Sequence, residues 1–68
     1  MDKQDTMLLL GKMMDKKSVF IYTENSLLEF HPPNTEITFD KENLGLKTFH
    51  SDITLRYDSI QAIDFNNR

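Results

Sequence analysis

From residue 37 onward, apolar side chains recur at every second position. Ile37 and Phe39, Leu44 and Leu46, the trio Ile53, Leu55 and Tyr57, and Ile63 with Phe65 form these runs. Thr38, Lys47, Thr54, Arg56 and Asp64 take alternate positions. Successive side chains of a strand point to opposite faces of the pleat, so a period of two marks half-buried antiparallel strands. Two further runs precede these. VFIY at 19–22 is β-branched and aromatic, TENS at 23–26 is turn chemistry with Asn25 suited to a left-handed backbone, and LLEF at 27–30 returns as a hairpin arm. His31-Pro32-Pro33-Asn34 then stops that arm, because neither proline can donate to a ladder. Further strands are expected at 35–40, 44–49, 53–57 and 60–65, separated by turns at 41–43, 50–52 and 58–59.

Helical spacing occurs only near the start. Met7, Leu10, Met13 and Met14 form one apolar stripe, with Lys12, Asp15 and Lys16 facing water, which predicts a helix over about 5–16. Asp5 or Thr6 is the expected cap, since a short oxygen-bearing side chain accepts from an orphan N–H of the first turn. Gly11 weakens the helix by about 1 kcal/mol relative to Ala and favours an early end. One helix and about five antiparallel strands, joined by short loops, predict a single domain over 1–68. The fold class is mainly β, a small five-stranded barrel with the helix covering one end.

Composition narrows what such a domain can be. The core of a 68-residue domain contributes only ~3–5 kcal/mol of net stability, and domains of this size often need a staple. The chain has no Cys, and its two histidines are far apart, so disulfides and thiolate metal sites are excluded and no metal is expected. Self-association is the staple that remains. The net charge of −3 argues against a uniformly basic nucleic-acid binder. Glu24, Glu29, Glu36, Asp40, Glu42, Asp52, Asp58 and Asp64 crowd the later chain, opposed there by Lys41, Lys47, Arg56 and Arg68. These carboxylates form either a solubilising surface or an acidic face that docks on a basic protein. The apolar runs at 7–10 and 19–22 are too short for a membrane span or a secretory core, and a cytoplasmic location is expected.

Catalytic chemistry finds little support. Asp58-Ser59 lacks a positioned base and a flanking glycine, so it reads as a turn. Gly11 and Gly45 stand alone and make no phosphate-cradling loop. His31 and His50 read as ordinary loop histidines without metal spacing. No cofactor is expected. Lys3, Lys12, Lys16 and Lys17 form the one basic cluster, with Gln4 beside them. They either balance the helix dipole or meet phosphates at one end of the barrel. Most of the seven aromatics belong to the core. Phe49 breaks the alternation of its strand, which suits a stacking platform for a base or an anchor for a protein interface.

The order of these residues resembles the bacterial Sm-like (Hfq-like) family. Gln4-Asp5 opens the helix, and Lys16-Lys17 precede the first strand at Val19-Phe20-Ile21-Tyr22. Phe39-Asp40 matches the end of the family's second strand, Leu44, Leu46 and Lys47 its third, and Tyr57 and Ile60 its final strand junction. The departures are Glu24-Asn25-Ser26 for an Asn-Gly turn, His31-Pro32-Pro33-Asn34 at a bend glycine, and Asp58-Ser59 where the family has a uridine-contacting lysine–histidine pair. That uridine pocket does not carry over. The same string of elements also fits an SH3-like barrel or a trimmed pleckstrin-homology-like sheet.

The resemblance implies a non-catalytic RNA-binding regulator that acts as a homo-oligomer. Gln4, Lys12, Lys16, Lys17 and Phe49 would hold single-stranded RNA. Ile53, Leu55 and Tyr57 of one subunit would meet Ile63 and Phe65 of the next through paired strand edges. The alternative, carried by the charge and by the missing lysine–histidine pair, is a small acidic regulator or inhibitor docking on a larger protein.

Overall fold

The computed structural model describes residues 1–66, so Arg68 lies outside the described residues. Helix α1 covers Lys3–Lys12 and is followed by strands β1 (Ser18–Thr23), β2 (Leu27–Phe30), β3 (Glu36–Phe39), β4 (Asn43–Lys47), β5 (Asp52–Arg56) and β6 (Ile60–Asn66). Short 3₁₀ turns sit at Pro32–Asn34 and Tyr57–Ser59. The strands form two antiparallel three-stranded sheets, ordered β2-β1-β6 and β3-β4-β5.

The fold is mainly β with one N-terminal helix, but the five-stranded barrel is corrected to six strands in two sheets, without closure. The cause is local. His31-Pro32-Pro33-Asn34 ends β2 as expected, and across that break β2 joins one sheet and β3 the other. The 3₁₀ turn at Tyr57–Ser59 likewise sends β6 into a different sheet from β5.

Helix α1 starts and stops earlier than its apolar stripe suggested. Asp2, rather than Asp5 or Thr6, is the cap: its side chain accepts from the Asp5 N–H at 2.8 Å, and its carbonyl takes the Thr6 N–H and hydroxyl at 3.0 and 2.7 Å. The end falls one residue past Gly11, where the Met13 N–H closes on the Leu10 carbonyl at 3.0 Å. Loss of the last predicted turn rotates the buried face to Thr6, Leu10 and Met13, while Met7 and Met14 are exposed. The β1–β2 turn also departs from expectation. Among the described residues no non-glycine φ is positive, so Asn25 is not left-handed. Instead the Thr23 hydroxyl receives the Ser26 N–H at 3.0 Å.

The core lies between the sheets and under the helix. Val19 and Ile21 enter it from β1, Leu44 and Leu46 from β4, and Leu10, Met13, Phe30, Tyr57 and Ile60 complete it. The alternation read from the sequence holds in β3–β5, where Ile37, Phe39, Ile53 and Leu55 pack against this core and Thr38, Lys47, Thr54 and Arg56 face out. Two contacts tie distant segments together. The Met1 amine donates to the Ile60 carbonyl at 3.0 Å, and the Tyr57 hydroxyl donates to the Asp40 carbonyl at 2.6 Å. Burial, aided by the charge of Asp40, raises the Tyr57 pKa above its ordinary value.

Candidate binding cleft

The β3–β4 ladder ends at Glu36↔Lys47. Beyond that pair the chain diverges, leaving β2 and the Pro32–Asn34 turn on one bank and the turn at 48–51 on the other. The opening between them is about 540 Å³, within the range of pockets that take ligands. Its floor is apolar, made by Leu28, Phe30, Leu46 and Ile53. Phe30 and Leu46 are buried, so this floor is the exposed skin of the core.

The rim is polar and held in place by local bonds. Thr48 fixes the far bank: its N–H donates to the Ser51 carbonyl at 2.8 Å, while its hydroxyl accepts the His50 and Ser51 N–H groups at 3.3 and 3.0 Å. This turn turns Phe49 outward, leaving its ring 94% exposed. The His50 ring meets Phe49 edge to face, with centroids 4.9 Å apart at 83°. On the near bank, His31 Nδ1 lies 3.0 Å from the Lys17 carbonyl. A carbonyl only accepts, so Nδ1 carries a proton and the same N–H reaches Ser18 Oγ at 3.2 Å. Among the described residues, Glu29 is the one lining residue with a formal charge at neutral pH, counting histidines as neutral.

An acidic surface adjoins the cleft. Glu36, Thr38 and Asp40 of the β3 strand and its end, Lys47 of β4, and Asp52 and Thr54 of β5 share a shallow polar depression. Glu36, Lys47 and Asp52 stand in one cross-strand row, two carboxylates to one ammonium, beside the 48–51 turn. At the opposite end of β5, Arg56 donates to both Asp58 oxygens at 3.2 and 3.3 Å. The Asp58 hydrogen bond and charge, with a smaller contribution from Glu42, raise the Arg56 pKa further.

The residues expected to hold RNA are dispersed. Gln4 and Lys12 are exposed on α1, which does not line the cleft. The Lys16 ammonium lies 4.7 Å from the centroid of the Phe65 ring and 4.0 Å from Asp15 Oδ1. Phe49 lines the cleft, whereas Lys17 meets it only through its main-chain carbonyl, which accepts from His31. Of the residues expected at an oligomer interface, Ile53, Leu55 and Ile63 are half-buried, Phe65 is exposed and Tyr57 is buried. Both β5 and β6 are the outer strands of their sheets, with one ladder each. Asp64 Oδ1 accepts the Phe65 N–H at 2.8 Å and so occupies one donor on the outer strand β6.

Sequence reading missed the cleft because its parts are far apart in the chain. In the sequence Glu29, His31 and His50 read separately as surface, strand end and turn. The usable signal was the proline pair after a strand, which must leave one strand edge unpaired. No helix of the described residues is long and apolar enough to cross a membrane, and none of their His, Asp or Glu side chains converge in threes as a metal site. The chain matches no protein-family model, no curated protein and no solved structure, so the assignment of this cleft rests on its own residues.

Proposed function

We propose that the chain is a non-catalytic binding module, a small acidic regulator that docks on a larger protein. The observation that carries this reading is Phe49, almost wholly exposed on the lip of an apolar-floored cleft and next to an acidic sheet face. A large exposed ring beside an apolar-floored cleft matches the anchors that dominate protein interfaces. The carboxylates at Glu36, Asp40 and Asp52 would speed encounter with a basic partner and make binding salt-sensitive. Photo-crosslinking from position 49 in the native host tests it. The captured protein, purified, should bind the chain at a fixed stoichiometry. Phe49→Ala, or reversal of Glu36, Asp40 and Glu42 to Lys, should abolish that binding. Capture of nothing but a second copy of the chain would refute the reading.

A second reading, an Hfq-like oligomer that binds single-stranded RNA, draws support from two observations. β5 and β6 are outer strands of their sheets, and Phe49 with His50 offers a stacking surface. It expects a particle several times 8.0 kDa and low-salt affinity for U-rich or A-rich oligonucleotides. That affinity should weaken in Lys16→Glu plus Lys17→Glu. A monomeric mass and no oligonucleotide shift would dispose of it.

A further inference from the structure

We infer that β2 is a strand-addition site, taking an extended partner segment in which a Lys or Arg is flanked by large apolar residues. The inference rests on the docking reading above and specifies how that docking is made.

The first argument concerns backbone polarity. In an antiparallel pair, opposite residues alternate between exchanging hydrogen bonds and turning their N–H and C=O away from each other. The Thr23 N–H bonds the Ser26 carbonyl at 2.9 Å, which fixes the phase of the β1–β2 ladder. With pairs Tyr22↔Leu27, Ile21↔Leu28, Phe20↔Glu29 and Val19↔Phe30, the bonded pairs beyond that turn are Ile21↔Leu28 and Val19↔Phe30. Leu27 and Glu29 therefore direct their N–H and C=O outward, away from β1. Strand β2 has no second ladder, and no loop or side-chain hydrogen bond reaches the Glu29 main chain among the described residues. Leu28, Glu29 and Phe30 all line the cleft. Side chains alternate between faces, so an opening that meets three consecutive residues lies along the edge of the strand.

The second argument gives the sequence of the occupant. A strand added at this edge places its residue opposite Glu29 on the same face as the exposed Glu29 carboxylate. That position favours Lys or Arg. Its two neighbours point the other way, beside Leu28 and Phe30 and onto the floor completed by Leu46 and Ile53. They favour large apolar side chains, which Phe49 is placed to cover from the far bank. Three extended residues span about 10 Å, and main-chain bonds supply affinity while alternate side chains supply selectivity.

A phage-displayed library of random linear peptides, panned on the full chain and counter-selected on Phe49→Ala, provides the probe. Enriched peptides should carry the apolar–basic–apolar pattern. They should shift the amide resonances of Leu27–Phe30 and residues 48–51, and slow exchange of the Glu29 N–H. N-methylating the synthetic peptide one position at a time should weaken binding about tenfold at alternate positions and leave the intervening ones unchanged. Peptides that perturb the cleft yet tolerate N-methylation everywhere would overturn strand addition while leaving docking at the cleft intact. Peptides that perturb neither bank would overturn both.

Discussion

Replacing Tyr57 by Phe isolates one hydrogen bond without disturbing the packing around it. The Tyr57 ring is only 5% exposed and its hydroxyl donates to the Asp40 carbonyl at 2.6 Å. Phe keeps the ring contacts and removes that bond. A net intramolecular hydrogen bond contributes ~0.5–1.5 kcal/mol, and Asp40 is exposed enough for its carbonyl to recruit water. The expected loss is therefore about 1 kcal/mol, a large share of the ~3–5 kcal/mol typical of so small a core. At this chain length it lowers Tm by about 4–8 °C. The pH dependence gives an independent readout. Burial and the charge of Asp40 raise the Tyr57 pKa from its ordinary 10.0, so the folded chain holds its proton where the unfolded chain has released it. Stability from this group is thus complete below about pH 10 and declines as pH rises through the folded value. Thermal melts followed by circular dichroism, at neutral pH and in steps across the alkaline range, measure both effects. Tyr57→Phe should melt lower at pH 7 and lose part of the alkaline decline. A variant that melts with the native chain and follows its alkaline slope would refute the argument.

The other expectations follow from position in the fold. Phe49→Ala should change stability by no more than about 0.5 kcal/mol in a urea titration, because the ring buries little, yet should remove partner binding. Leu44→Ala empties a fully buried site and costs ~2–5 kcal/mol, so its circular dichroism at room temperature should be that of a largely unfolded chain. Asp2→Ala removes the α1 cap and should cost about 1 kcal/mol, with faster amide exchange at Asp5. Asp64→Ala frees the Phe65 N–H at the outer edge of β6, and light scattering should report a higher mean mass than that of the native chain.

The strand-rich half was legible because burial there is one-sided. In β3, β4 and β5, inward Ile37, Leu44, Leu46, Ile53 and Leu55 alternate with outward Thr38, Lys47 and Thr54, and a period of two has no competing explanation. The helix was less legible. Met7, Leu10, Met13 and Met14 fit an apolar stripe, yet the chain buries Thr6, whose hydroxyl is satisfied by the Asp2 carbonyl, and exposes Met7 and Met14, the latter beyond the helix end at Lys12. Closure was the least legible feature. Alternation reports which face of each strand is buried, whereas closure depends on which edges pair, and edge pairing leaves no mark on side-chain period. The cleft escaped notice for the same reason. Phe49 stood out as a break in alternation, but its partners Leu28, Glu29 and His31 became visible only once β2 was placed opposite the 48–51 turn.

The proline pair is the physical origin of the candidate site. A strand running unbroken from residue 27 to 39 would carry β2 straight into β3 and leave no break between the two sheets at this point. Pro32 and Pro33 prevent this by withholding two donors and imposing a 3₁₀ turn between β2 and β3. His31 then anchors the broken end to the Lys17 carbonyl of the segment before β1, so β2 is held against β1 and does not follow β4. The edge left over is only four residues long, which protects it from indiscriminate pairing while leaving Glu29 outward-facing beside apolar floor residues. Substituting Pro32 and Pro33 together should therefore do more than relieve a turn. If β2 and β3 then run on as one strand, the cleft narrows, the Glu29 N–H gains protection from exchange, and partner binding weakens while the fold becomes more stable. A doubly substituted chain whose Glu29 N–H exchanges as before, with partner binding unchanged, would show that the prolines do not hold the cleft open.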